Sequence, residues 1–169
     1  MPEIHAGRFT AQHDGDVVVF IIGARINRLR SVRKWLPVAR AMGPMVKELL
    51  AQPDKGMLHV EQFFRGRNVM LVQYWKSFEH LERFARDRDD LHLPAWREFN
   101  QKVGTSGTVG IFHETYLVPA GGFECIYNNM PAMGLAAATN HVPVARVGQS
   151  ARYRAGQATE DQPAEPVPA

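Results

Sequence analysis

The first dense apolar run is Val17 to Ala24, where Val, Phe and Ile follow one another after the turn-forming Asp14-Gly15-Asp16. An unbroken run of that length predicts a buried central strand. Beyond Asn27 the period changes. Ser31 stands where an N-cap belongs, and Trp35, Val38, Met42, Met45 or Val46, and Leu49 recur at helical spacing down to Gln52. That pattern predicts one amphipathic helix lying on a sheet. Pro37 falls in its first turns, where a missing N–H costs little, and Gly43-Pro44 is a place for a kink or a division. Pro53-Asp54-Lys55-Gly56 ends the helix, and the runs Met57 to Arg65 and Asn68 to Trp75, joined at Gly66, predict a β-hairpin.

Ser77 caps the next helical stretch, whose stripe is Phe78, Leu81 and Phe84, before the charged Asp87-Arg88-Asp89-Asp90. A short helix is expected from about His92-Leu93-Pro94, carrying Trp96 and Phe99. In Thr108 to Leu117 alternate residues share a face: Val109, Ile111, His113, Thr115 and Leu117 on one side, Gly110, Phe112, Glu114 and Tyr116 on the other. After Pro119-Ala120-Gly121-Gly122 the run Phe123 to Tyr127 reads as a short extra strand. From Ala145 the apolar periodicity stops and Gln, Ala, Pro and Glu dominate, so one domain over 1–144 and a disordered tail over 145–169 are expected.

Strand, helix, two strands, helix, strand is the split βαβ order, an α+β ferredoxin-like unit with an antiparallel sheet. Helices on one side leave the other face of such a sheet bare. Placing Trp75, Ile111 and their neighbours on that bare face predicts a homodimer, with two sheets packed face to face and a cavity between sheet and helices.

Composition narrows the function classes. The chain has 169 residues, 45% of them hydrophobic, enough for one globular domain with a real core and no metal or disulfide staples. The lone Cys125 excludes an internal disulfide and a cysteine-cluster zinc site; it fits a reducing cytoplasm and a buried thiol. No apolar run approaches the roughly 20 residues a membrane span needs, and the N-terminus carries no secretory pattern. A net charge of +3 does not argue for nucleic acid; Arg25, Arg28, Arg30, Arg33 and Lys34 read as a solvated helix entrance.

Phosphate-cradling glycine loops, a nucleophile elbow and zinc-spaced histidine pairs are all missing from the sequence. The candidate chemistry is therefore a question of histidines. His5 and His13 lie in an N-terminal stretch without a pattern, and His141 lies near the tail; all three are expected at the surface, and His59 and His80 have mixed surroundings. His92, between Leu91 and Leu93-Pro94 and near Trp96, is by position a helix-capping residue or, in its dry setting, a haem-iron ligand. His113 is a candidate proton-transfer group or a satisfied core histidine. Glu114 falls on the opposite face of the pleat, so only one of the two can face a cavity. Tyr116 and Tyr127 offer hydroxyls, and Asn128 and Asn129 build a turn or orient a substrate.

The segment Val109-Gly110-Ile111-Phe112-His113-Glu114-Thr115-Tyr116, then Pro119-Ala120-Gly121, Glu124-Cys125-Ile126-Tyr127-Asn128-Asn129-Met130-Pro131 and Gly134-Leu135, resembles the signature of the DUF4188 family. That family is also described as monooxygenase-like, after a fungal member from fumagillin biosynthesis, and the resemblance runs from about Gly7 to His141. It implies a dimeric α+β barrel, a fold that includes cofactor-free monooxygenases, haem-degrading enzymes and haem-dependent dehydratases. A more distant similarity, to haem-containing aldoxime dehydratases, implies His92 as proximal iron ligand and His113 as distal catalytic group. Glu114 is a second catalytic candidate, and Trp75, Trp96 and Ile111 are, with His92, the candidates to line a haem site. Those dehydratases hold two such halves in one polypeptide, and their catalytic serine and arginine have no counterpart in this chain. Three readings follow. One is a haem-binding monooxygenase-like enzyme or lyase acting on a small apolar substrate. Another is a cofactor-independent monooxygenase whose cavity is lined by Trp75, His113 and Tyr74. The third is a module that only binds haem or another small ligand.

Overall fold

A computed structural model describes residues 2–87 and 92–162, excluding the side chains of 41, 42 and 92–95. The chain divides into two compact units, residues 18–117 and the two ends together, so the expected division at 144/145 is not the one observed.

The 18–117 unit follows the expected order. Strand β2 (Val17–Ile26) leads to helix α1 (Val32–Ala51), the hairpin β3 (Met57–Arg65) and β4 (Asn68–Trp75), helices α2 (Phe78–Arg86) and α3 (His92–Lys102), and strand β5 (Val109–Val118). The strands lie in the order β3-β4-β2-β5, with β4 inserted between the two strands that α1 connects, which is the ferredoxin-like arrangement. Strand β4 runs antiparallel to both neighbours, with Val18 opposite Trp75, Phe20 opposite Gln73 and Ile22 opposite Leu71. Helix α1 is continuous through Pro37 and Pro44, so Gly43-Pro44 does not divide it. Gly56, at φ +91°, turns the chain into β3 under the His80 ring, which a Cβ there would strike. Ser77 accepts a hydrogen bond from the His80 backbone N–H and caps α2.

The core of this unit joins sheet to helices. Trp75, fully buried, packs with Val18, Met57, Leu49 of α1, and Leu81 and Phe84 of α2. Trp75 and Ile111 therefore belong to the helix-facing side, not to the bare face where they were expected. Side chains alternate across a strand, and Trp75 shares its parity with the core residues Leu71 and Val18. The opposite face carries Val19, Ile21, Met70, Val72 and Tyr74, with Phe112 lying over Gly23 so closely that a Cβ at that glycine would clash with the ring.

The two ends form a unit the hydrophobic pattern did not reveal. Strand β1 (His5–Gln12), from the stretch read as patternless, is the middle strand of a three-stranded sheet between β6 (Tyr127–Met130) and β7 (Asn140–Pro143). The extra strand is thus Tyr127–Met130, not Phe123 to Tyr127. Helix α4 (Gly134–Ala138) packs on β1 and β7. The segment expected to be a disordered tail from Ala145 is ordered through residue 162. It contains a 3-10 turn at Val144–Arg146, helix α5 (Ala151–Arg154), and Asp161, whose carboxylate accepts the Gln149 and Ser150 N–H groups at 2.7 Å each. The Arg154 guanidinium donates to the Gly148 and Gln149 carbonyls and, at 3.1 Å, to Glu124. These polar anchors order a segment poor in apolar residues, which is why periodicity missed it.

Candidate functional site

The cavity expected between sheet and helices is present within the 18–117 unit, at about 730 Å³. Small-molecule sites range over roughly 300–1,000 Å³. Its floor is buried and nearly all apolar: Leu49 from α1, Leu71 from β4, Leu81 and Phe84 from α2. Phe20 and Ile22 of β2, Val38 and Met45 of α1, and Ile111 and Thr115 of β5 form the walls. The rim is exposed and mixed, with Phe78, Trp96, Glu98, Lys102 and His113. The rim charges pair locally: Lys102 with Glu98, one helical turn apart, and Glu82 with Arg86 at 2.8 Å.

Three polar groups stand on the sheet side: Thr115, His113 and Gln73. His113 projects from β5 on the face of Ile111 and Thr115, its ring centroid 5.7 Å from that of Phe20. Gln73 projects from β4, 6% exposed, and its Oε1 accepts the Trp75 indole N–H at 2.9 Å. An indole nitrogen only donates, so it fixes which end of the amide is the acceptor and leaves the Gln73 NH2 as the donor end.

The sequence-derived candidates separate accordingly. His113, Ile111 and Trp96 line the cavity; Trp96 is 45% exposed and stacks on Phe99 at 5.4 Å. Trp75 does not line it; the indole sits in the core against Phe84, 5.6 Å between centroids, and acts on the site only through Gln73. Glu114 lies on the other face of the sheet, where Tyr116 donates to it at 2.7 Å, so it is not placed for chemistry in the cavity. This bond, more than the Glu114 charge, holds the Tyr116 hydroxyl above its ordinary pKa. Tyr74 is on that outer face too, its ring 6.5 Å from His59, so it does not line the cavity. The backbone of His92 opens α3, while its side chain lies outside the described residues. Gln73 was missed, although a polar residue between Leu71 and Trp75 at strand spacing marks a position facing the core.

The described residues do not favour haem. A porphyrin would bring two propionates to a rim that already holds two carboxylates, whose cations are engaged. The described imidazole on the cavity is His113, which cannot be both axial ligand and proton-transfer group. Among the described residues no three histidine, cysteine or acidic side chains converge as a metal site would need.

The end unit holds its own aromatic cluster. His141 stacks on Phe9 at 4.6 Å and meets His5 edge-on at 4.7 Å and Tyr127 at 5.9 Å; burial, and then His5, push its pKa below the ordinary value. So His141 is not a surface histidine, as expected from sequence. The asparagines build structure: Asn129, at φ +54°, accepts the Gly7 N–H at 2.9 Å across the β1–β6 irregularity. The Cys125 sulfur accepts the Ala11 N–H at 3.3 Å.

Solved structures similar to this chain share little sequence with it. One is SnoaB, a cofactor-independent oxygenase from Streptomyces nogalater: 10% identity, 60% of this chain and 91% of that chain covered, TM-score 0.43. Another is a dimeric protein of unknown function with a ferredoxin-like fold from Bacteroides fragilis: 15% identity, 60% and 95% covered, TM-score 0.43. A third is a conserved protein from Methanosarcina mazei Go1: 9% identity, 59% and 91% covered, TM-score 0.42. No curated protein matches the chain. The family model described as monooxygenase af470-like matches residues 17–135, which span the whole four-stranded sheet, its helices and the cavity between them, and the chain belongs to that family.

Proposed function

We propose that the protein is a cofactor-independent monooxygenase acting on an apolar, electron-rich phenol held in the cavity, with His113 as the proton acceptor. The observation that carries this reading is the single imidazole on the cavity side of β5, beside Phe20, in a space whose floor and walls are mostly apolar side chains. A neutral imidazole takes the phenol O–H proton, and the phenolate supplies electrons to dioxygen. A C–O bond forms at an electron-rich ring carbon that carries hydrogen. The O–O bond then breaks: one oxygen stays as the new carbonyl, and the other leaves as water with the displaced hydrogens. For 1-naphthol the sum is naphthol plus dioxygen giving 1,4-naphthoquinone and water, with no outside reductant. The apolar floor buries the ring of the substrate, and the protein supplies orientation and one proton-transfer group at the rim.

Oxygen uptake with 1-naphthol and related naphthalenols, with ¹⁸O₂ label recovered in the quinone, tests this. His113→Ala should abolish uptake above background while leaving binding in place. Turnover unaffected by that change would remove His113 from the chemistry, and inertness towards the whole series would remove the reading.

The assembly proposed with it is a homodimer through the outer face of the four-stranded sheet. The support is a row of apolar side chains there, Ile21, Met70, Val72 and Phe63, ending in Phe112, which is 47% exposed.

A further inference from the structure

Gln73 is the feature of the cavity for which the oxygenase reading has no use. It is a polar side chain in a buried, core-facing position, and such groups need hydrogen-bond partners. One end is satisfied and held by the Trp75 indole N–H, itself fixed in the core. The other end, the NH2, is taken up by no described residue, and Gln73 lines the cavity. In the sheet Gln73 lies directly opposite Phe20, whose ring is the one beside His113. A molecule lying over Phe20 therefore meets a fixed donor on the β4 side and the imidazole on the β5 side. Neighbouring strands are about 4.8 Å apart, which separates these two polar groups by roughly two strand spacings across β2.

We propose that Gln73 is a substrate-anchoring residue, and that among apolar phenols the cavity favours those that also carry a hydrogen-bond-accepting ketone oxygen, placed at Gln73 while the hydroxyl meets His113. This rests on the reading of the cavity as the substrate site. Specificity comes from the indole. Without it the amide would rotate and offer either an acceptor or a donor; with it the cavity presents a donor only, and a hydroxyl is a poorer match than a carbonyl. In a cavity lacking a donor, a carbonyl would lose affinity, because its desolvation would go uncompensated.

Fluorene and 9-fluorenone share a rigid ring skeleton and differ by one carbonyl oxygen. Their affinities, read by quenching of tryptophan emission in the full chain, separate anchoring from simple apolar burial. The unaltered protein should bind fluorenone roughly three- to tenfold more tightly, the worth of one neutral hydrogen bond. Gln73→Leu should erase that preference. Gln73→Glu keeps an acceptor for the Trp75 indole and turns a second acceptor into the cavity, and it should reverse the preference in favour of fluorene. Equal affinities in the unaltered protein, or a preference for fluorene, would overturn the proposal whatever the variants do. Failure of both molecules to bind would overturn it together with the cavity as a substrate site. A fluorenone preference without oxygen uptake on any naphthalenol would leave the anchor standing and remove the oxygenase reading alone.

Discussion

The two faces of the four-stranded sheet are built from the same strands, one residue out of step, and they do different work. The helix-facing side buries Trp75 completely and opens into a cavity whose sheet-side polar groups are Gln73, Thr115 and His113. The outer side closes its polar groups on one another: His59 meets Glu61 at 2.9 Å, and Tyr116 donates to Glu114 at 2.7 Å. His113 and Glu114 are chain neighbours. Strand parity alone places one in the cavity and engages the other with a tyrosine. Polar groups left available mark the working face, and polar groups already satisfied mark the face that only has to meet water or another copy.

Removing the anchor of each face should show the largest contrast. Trp75→Ala should cost about 3–5 kcal/mol, because a large buried ring leaves a cavity its neighbours cannot fill. Phe112→Ala, on the outer side, should cost about 1 kcal/mol within a protomer, as a half-exposed ring loses less burial there. Urea denaturation of both variants measures the difference, and equal losses would mean that the outer face is itself a core.

The chemical contrast comes next. His113→Ala should lower oxygen uptake about 10²- to 10⁴-fold, the usual worth of a general base, while Glu114→Gln one residue away should stay within about twofold of the unaltered protein. A comparable loss from Glu114→Gln would break the assignment of the working face.

Much of this contrast was legible in the sequence because strand parity is a local property. The alternation from Val109 to Leu117, the hairpin at Gly66 and the Ser77 cap fall where the residues put them. The parity of the whole sheet was the harder matter. Trp75 and Ile111 were correctly matched to each other, but only packing against Leu49, Leu81 and Phe84 shows that their side carries the helices. The end unit was illegible for a different reason. β1 has small and polar residues at most positions, and its partners β6 and β7 come more than a hundred residues later. Its sheet is held by ladder bonds and by Asn129, and the segment after it by Arg154 and Asp161, which leave no apolar period to read.

Association tests the outer face in a second way. Phe112→Asp places a charge in the proposed dimer interface and should convert the protein to monomer in sedimentation equilibrium. Phe64→Asp is the control: Phe64 is 75% exposed but has the parity of Leu71, and its substitution should leave association unchanged. Dissociation by both, or by neither, would separate the dimer from this face.

The smallest effect probes the outer face's self-sufficiency directly. The Tyr116 hydroxyl donates to Glu114, and this bond, followed by the carboxylate's charge, raises the phenol pKa above 10.0. Because the folded value lies above the unfolded one, the stabilisation is complete below about pH 10 and is lost as pH rises through the folded pKa. Both groups are exposed, so the effect on stability is slight, and the ionisation itself is the better readout. In Glu114→Gln the amide oxygen still accepts the hydrogen bond but carries no charge, so one tyrosine should ionise at lower pH in an alkaline difference titration at 295 nm. An unchanged titration would mean that the Glu114 charge is not held by Tyr116. The carboxylate would then be available to whatever meets the outer face, and the claim that this face satisfies its own polar groups would fail at the residue beside the proposed base.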